Sequence, residues 1–562
     1  MNAPGLTIYN LPPMRPNWDR VGVFYVTFCA IWTTIIMLGM AFCWYNRTLP
    51  ILRVRGLPLA FGSVIFLHLY WIMAQITYPI GATMPIVIAY DVQYFVMGTW
   101  FPLGIALFHA SNLRFFYVAR LQKQFAQPGF QRSRNQTVST SSWLGRLRNM
   151  TYTSKVMTFI IAGMVVQTLL TVGMWLVCKK YHPGFGIPGT EIKGATLPEQ
   201  LIDLGRGWEW WPSVVWQFIW TWGIAPVLIW RAWGIRDTMG WRTQTIGACV
   251  SGLHATPMFL IASYCPAFYP INAYFHPSQW IHLNTMFIEI FTIFIPAYQV
   301  VKTWYDRRRV ASSNDRWETC SQATIVRVLN PSAKGSNIEL AEKDQVFGYI
   351  NSNTSDRLLT ISALNRVLNE HPVPLQEFSA YHDFSGENIA FLTQVASWKE
   401  SWANTTELGE EQRIDMYNTA LHIYIDFVSP RDAEFPLNLS STHLKALESI
   451  FETPARLICG EARTDPAVPF TFDTPPQSRG SDGSEATLHA RFTGEIPEQF
   501  GREVFDEVVR HVKDLVLTNT WPKFVREMQN RRGSVETFRS VESDDSGASK
   551  GSGIGRFVRG LV

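Results

Sequence analysis

Five ionisable side chains, His68, Asp91, His254, His282 and Glu289, fall inside stretches that are otherwise apolar. An ionisable group in such surroundings is costly, so each is expected to face inward and find a partner. Glu289 is placed to pair with His254 or His68, and Asp91 lies near one end of its stretch, where a polar ligand can be held. Two readings stay open for His68, Asp91, His254 and Glu289: hydrogen bonds that tie helices together, or an intramembrane polar site that senses a ligand or a proton. Other chemistry is missing from the pattern. The seven cysteines (Cys29, Cys43, Cys178, Cys249, Cys265, Cys320 and Cys459) form no CxxC or Cys/His cluster, so no metal is expected. Cys178 and Cys265 sit at the outer ends of their apolar stretches, where a disulfide is open and free thiols are the default. There is no catalytic triad and no phosphate-binding loop, so no cofactor and no covalent catalysis are expected.

The elements that hold these residues are long. Apolar runs at about 20–44, 56–79, 85–110, 155–178, 211–234, 245–265 and 278–302 each match the roughly 30 Å hydrocarbon core of a bilayer. Seven transmembrane helices are the expectation. Arg47, Arg53, Arg55, Arg114, Arg120, Lys123, Arg231, Arg236, Arg242, Lys302 and Arg307 to Arg309 fall on one side of this arrangement. The other side carries fewer cations, so the N-terminus is expected outside and everything after Lys302 in the cytoplasm. With no basic n-region or small-residue cleavage site at the start, the first span is expected to act as its own insertion signal. Trp210, Trp211, Trp216, Trp220, Trp222, Trp230 and Trp233 crowd the fifth span, as packing aromatics or as the lining of a ligand site. Pro79, Pro102, Pro226, Pro257 and Pro296 are expected to kink their helices.

Of the 562 residues, 17% are charged, and the net charge of +4 hides an asymmetry. Before Lys302 only Asp19, Asp91, Glu191, Glu199, Asp203, Glu209, Asp237 and Glu289 are acidic, whereas acids outnumber Lys and Arg between Glu342 and Glu527. A membrane half is followed by an acidic soluble half. With no concentrated basic patch on the latter, nucleic acid is not an expected partner.

In the soluble half, Ser385 is a good N-cap, and Phe391, Val395, Trp398 and Trp402 follow at helical spacing. A second helix is expected near Met416–Phe427 and a third from about Gly501 to Leu517, with no strand pattern. The fold class is therefore all-α. The expected organisation is an extracellular segment 1–19, a seven-helix bundle 20–303, a linker 304–340, a helical domain 341–527 with a disordered insertion at about 453–495, and a disordered tail 528–562. Arg307 to Arg309 suit anionic lipid headgroups, and Arg531-Arg532-Gly533-Ser534 suits a basophilic kinase.

The order of motifs adds a family resemblance. Phe378-x5-Phe384-Ser385-Gly386-Glu387-Asn388-x2-Phe391-x6-Trp398-Lys399 resembles the central signature of regulator of G-protein signalling (RGS) domains. Ala420-x2-Ile423-Tyr424-x2-Phe427, Asn438, Phe505-Asp506-Glu507, Leu515 and Trp521-Pro522-Lys523-Phe524 follow in the family's order. With seven apolar spans ahead of it, the chain resembles the membrane-anchored RGS proteins of fungi and plants. The resemblance implies a plasma-membrane GTPase-activating protein for a heterotrimeric Gα in its GTP or transition-state form, without catalytic chemistry of its own. It also implies that Ser385, Glu387, Asn388, Asn438, Leu515, Asn519 and Lys523 contact Gα. Asn519 and Lys523 stand where the family usually has Asp and Arg, which loses a charge and a planar fork. Span three ends in Ser111-Asn112-Leu113-Arg114 and span seven holds Ile295-Pro296-Ala297-Tyr298, so the rhodopsin-type receptor motifs are missing. A receptor-like sensor whose RGS domain only recruits Gα is the alternative, and a transporter-like bundle is a weaker one. An extracellular small ligand for the bundle is left open.

Overall fold

The computed structural model describes residues 6–126, 152–329, 358–403, 409–459 and 491–542. All regular structure among the described residues is helical. The chain divides into two compact units, one drawn from residues 6–117 and 152–299, the other from 118–126, 300–329 and the described residues beyond 358.

Among the described residues six helices are long and apolar enough to cross a membrane: Arg20–Tyr45, Leu57–Thr83, Ser154–Val177, Leu197–Trp233 and Trp241–Tyr264 in the first unit, and Gln279–Thr319, which runs from the first unit into the second. The third expected span lies in the helix Ile86–Gln122, which is long but diluted by Asp91, Gln93, His109, Ser111, Asn112 and Arg114. The first helix starts where Asp19 Oδ1 accepts the Gly22 N–H at 2.7 Å, so its first turn has a donor satisfied. Leu38 is 66% exposed on this helix while Ile36 is 1% exposed, and Leu169 is 68% exposed on Ser154–Val177. Large aliphatic side chains bare to this extent on all-apolar helices belong against lipid. Inward, Leu67, Phe101, Ile105, Phe108, Ile281 and Ile288 build the main core. Close helix approach is set by small residues, as membrane packing favours. A Cβ on Gly98 would meet Thr171 at 2.4 Å, and one on Gly104 would meet Leu67 at 2.7 Å.

Two of the expected proline kinks take a specific form. Pro226 follows the π-helical turn Ile219–Ile224, and Pro296 follows Ile290–Phe294. Proline cannot donate to the carbonyl four residues back, and a wider π turn just before it accommodates the missing bond. The expected tryptophan cluster divides between two environments. Trp210 and Trp220 pack on the core, whereas Trp230 and Trp233 are 78% and 65% exposed.

The second unit packs short amphipathic helices around aromatics. Gly386–Ala403, Glu410–Ile423, Ser441–Cys459, Asp506–Leu515 and Trp521–Glu542 are its main helices. Phe391, Phe427, Phe451 and Phe505 are fully buried. Phe505 lies 6.0 Å from Phe391 and 5.8 Å from Phe451, centroid to centroid. Burying each such ring contributes about 1.5–3 kcal/mol, and this cluster closes the helices on one another. The insertion expected at 453–495 lies mostly outside the described residues; up to Cys459 the chain is helical. Its return is pinned by Asn418, whose Nδ2 donates to the Phe492 carbonyl at 3.0 Å and whose Oδ1 accepts the Phe492 N–H at 2.7 Å.

The stretch expected as a linker from residue 304 is helical as far as Leu329, as part of Ile295–Leu329. Asn314 anchors it: Nδ2 donates to the Leu359 carbonyl at 3.1 Å, and Oδ1 accepts the Ile361 N–H at 2.9 Å. Asp306 adds an ion pair to Arg526 at 2.9 Å.

Candidate functional site

The helix Gly386–Ala403 is entered through a sharp reversal. A π turn, Ser379–Asp383, ends at Phe384, whose φ of 49° is unusual for a residue with a side chain. The strain is held by Asp383, a carboxylate 1% exposed. Its Oδ1 accepts from Lys523 Nζ at 2.7 Å, and its Oδ2 accepts from Ser385 Oγ at 2.9 Å and Thr520 Oγ1 at 2.7 Å. Thr520 closes a second π turn, Val516–Thr520, between the last two helices. One buried anion thus staples two stretches 137 residues apart in sequence, and a buried charge tolerates this place because every donor aimed at it is satisfied.

Most of the residues expected to contact Gα sit around this staple. Ser385 and Lys523 are members of it, so their polar atoms point inward at Asp383. Glu387 and Asn388, both half-buried, lie in the first turn of the helix, with Asn388 Nδ2 donating to Glu387 Oε1 at 3.0 Å. Leu515 ends the helix Asp506–Leu515, and its carbonyl accepts from Asn519 Nδ2 at 3.0 Å. One turn before Leu515, His511 Nε2 meets the Asn438 carbonyl at 3.0 Å, which brings the third stretch beside this helix. Between these two residues, Lys513 is pushed below its ordinary pKa by burial and by the neighbouring charge of Lys399. Asp383 thus links Ser385 to Thr520 and Lys523, and His511 separately links Asn438 to the helix that ends at Leu515.

The same unit contains residues 118–126, and these hold the helix start. Gln122 is fully buried; its Oε1 accepts the Gly386 N–H at 3.0 Å and its Nε2 donates to Glu387 Oε2 at 2.9 Å. Phe125, 1% exposed, lies 5.8 Å from Phe435 and 6.2 Å from Phe427, and its carbonyl accepts from Gln376 at 2.9 Å. Gln124 reaches Glu434 at 2.8 Å. A Cβ on Gly386 would meet Phe125 at 2.8 Å, so only glycine allows this approach. On the other side of the staple, Arg307 donates to Asn519 Oδ1 at 3.3 Å. Sequence reasoning missed Asp383, Thr520, Gln122 and Phe125. Nothing local marks them, since each acts through partners far along the chain.

In the first unit, Glu289 is completely buried and pairs with His68 Nδ1 at 2.9 Å, while Trp32 Nε1 donates to its other oxygen at 2.6 Å. His68 Nε2 contacts Thr33 Oγ1 at 3.0 Å. Asp91 and His254 have other partners: Asp91 accepts from Trp175 Nε1 at 2.8 Å, and His254 Nδ1 meets the Ser251 carbonyl at 2.6 Å. The four residues expected to form one polar site therefore divide into a His68–Glu289 pair and two separate positions. Cys178 and Cys265 are both free thiols. No group of three metal-ligating side chains occurs among the described residues. Comparisons with models of known protein families, with curated proteins and with solved structures find no match.

Proposed function

We propose that the chain is a membrane-anchored GTPase-activating protein for a heterotrimeric Gα subunit, with the second unit as its RGS domain. The observation that carries this reading is the linkage of 385–388, 438 and 515–523, three stretches chosen by motif order alone, through Asp383 and His511. A Gα subunit carries its own arginine and water-orienting glutamine, and hydrolysis is limited by how well they are held in place. A rigid edge presenting Glu387, Asn388, Asn438, Leu515 and Asn519 would bind the mobile switch loops best in their transition-state shape, which is catalysis by differential binding. No arginine finger is required from this chain. Ser385 and Lys523 serve by fixing the loop that presents Glu387 and Asn388.

Six apolar helices support the membrane anchor. We extend this to seven by adding Ile86–Gln122, with the N-terminus outside, the second unit in the cytoplasm and the plasma membrane as the site. Anchoring raises the concentration of the domain beside a lipidated target without any new contact. In the conformation described, Gln122 and Arg307 already occupy Glu387 and Asn519. Binding of Gα through those side chains would require exchange of these partners, and we read this form as self-engaged and resting.

The direct test is binding of the full-length chain in nanodiscs to Gα·GDP with and without a planar fluoride mimic of the departing phosphate. Preference for the fluoride-loaded form is expected. Equal or absent binding across a panel of Gα classes would overturn the proposal.

A further inference from the structure

The first unit holds a half-open cavity of about 580 Å³, within the range of small-molecule sites. Its lining mixes apolar side chains such as Met73, Met97, Ile202 and Phe259 with a few polar groups, and the short helix Leu197–Gly205 contributes Leu201 and Ile202 to one wall. That helix begins at a capping box, Thr196 with Glu199, which satisfies donors of its own first turn.

Thr77, Tyr78 and Gln93 of the lining spend polar atoms on the protein itself, but four buried polar atoms around the cavity do not. Tyr70 is 5% exposed and His282 is 2% exposed, their rings 4.2 Å apart, and neither Tyr70 Oη nor His282 Nδ1 has a hydrogen-bond partner. Trp210 Nε1 and Asn272 Oδ1, on two further lining residues, are also unpartnered. Buried donors and acceptors are nearly always paired, and each one left alone costs about 1–3 kcal/mol. Four of them around one hollow give a polar guest donors and acceptors to meet. Arg206 is the sole Lys, Arg, Asp or Glu of the lining. Its guanidinium lies over the Tyr264 and Tyr269 rings and makes one hydrogen bond, to Tyr269 Oη at 3.4 Å; no carboxylate of the described residues pairs with it. Most of its donor fork is left for a planar anion.

From this we infer that the cavity binds a small amphipathic monocarboxylate: the carboxylate at Arg206, a flat apolar body among Tyr78, Tyr90, Phe259 and Tyr269, and a hydroxyl or carbonyl received by Tyr70 and His282. None of His68, Asp91, His254 or Glu289 lines this space. The inference rests on the first unit alone and stands or falls independently of GTPase activation by the second.

Three probes separate its parts: 6-hydroxy-2-naphthoate, 2-naphthoate without the hydroxyl, and 2-naphthol without the carboxylate. Binding to the full-length chain in nanodiscs is read by fluorescence, against empty nanodiscs. The order expected is 6-hydroxy-2-naphthoate tightest. Arg206→Gln weakens both carboxylates about tenfold or more and leaves 2-naphthol unchanged, while Tyr70→Phe weakens only the two hydroxylated probes, about two- to tenfold. Unchanged thermal midpoints of both variants show that they fold. Uptake no greater than that of empty nanodiscs, equal binding of all three probes, or carboxylate binding indifferent to Arg206→Gln would each overturn the inference.

Discussion

Gln122→Ala is the perturbation that separates a self-engaged domain from one whose contacts are merely structural. Gln122 makes two hydrogen bonds to the helix start, one from the Gly386 N–H at 3.0 Å and one to the Glu387 carboxylate at 2.9 Å. The first is neutral and contributes about 1 kcal/mol net; the second involves a charge and contributes about 1.5–3 kcal/mol. Both figures already count exchange with water, and Glu387 is only half-buried, so the low end of their sum, about 2.5 kcal/mol, is the expected loss from the engaged form. That corresponds to about seventyfold in the ratio of engaged to open forms, and the gain in GTPase activation cannot exceed that ratio. The assay is single-turnover GTP hydrolysis by Gα with full-length protein in nanodiscs, alongside hydrogen exchange at residues 384–388. Faster hydrolysis with faster exchange is expected. A variant that exchanges faster yet activates no better, or less well, would refute the reasoning, because opening would then damage the site rather than free it.

Other substitutions test the parts separately. Lys523→Met leaves the Asp383 carboxylate without its cation and should destabilise the second unit by about 3–5 kcal/mol, read as a lower thermal midpoint; Lys523→Arg should recover part of it. Loss of activation with no change in midpoint would make Lys523 a partner contact instead. Gly386→Ala forces Phe125 back from the helix start, and should mimic Gln122→Ala in hydrogen exchange of 384–388; unaltered exchange would contradict the close approach. Glu289→Ala strands Trp32 Nε1 and His68 Nδ1 and should cost about 3 kcal/mol, whereas Glu289→Gln keeps an acceptor and should cost about 1 kcal/mol; thermal denaturation of detergent-solubilised protein distinguishes the two, and equal midpoints would mean the pair is not structural.

Local pattern carried far in this chain, and its failures have physical causes. The helix opening after Ser385 was legible because its apolar stripe repeats every 3.6 residues, although the expected cap is not made, since Ser385 Oγ turns to Asp383 and Thr520. The helix through residues 304–329 was not, because its composition is polar and its stability comes from Asn314 and Asp306 reaching residues far along the chain. The π turns at Ser379–Asp383 and Val516–Thr520 were invisible to a reading built on one period. Spacing left Glu289 open between His68 and His254; only packing brings His68 to it. The candidate site was legible as a set of motif positions, while the anion at its centre, Asp383, and its self-contact through Gln122 depend on partners 137 and 264 residues away.

The central claim is most directly tested by single-turnover GTP hydrolysis of a panel of Gα subunits in the presence of the Gln122→Ala chain, with and without Asn388→Ala. Acceleration of at least one Gα that disappears when Asn388 is replaced, at an unchanged thermal midpoint, is the predicted result. Hydrolysis that proceeds at the intrinsic rate for every Gα, or acceleration indifferent to Asn388, would contradict it.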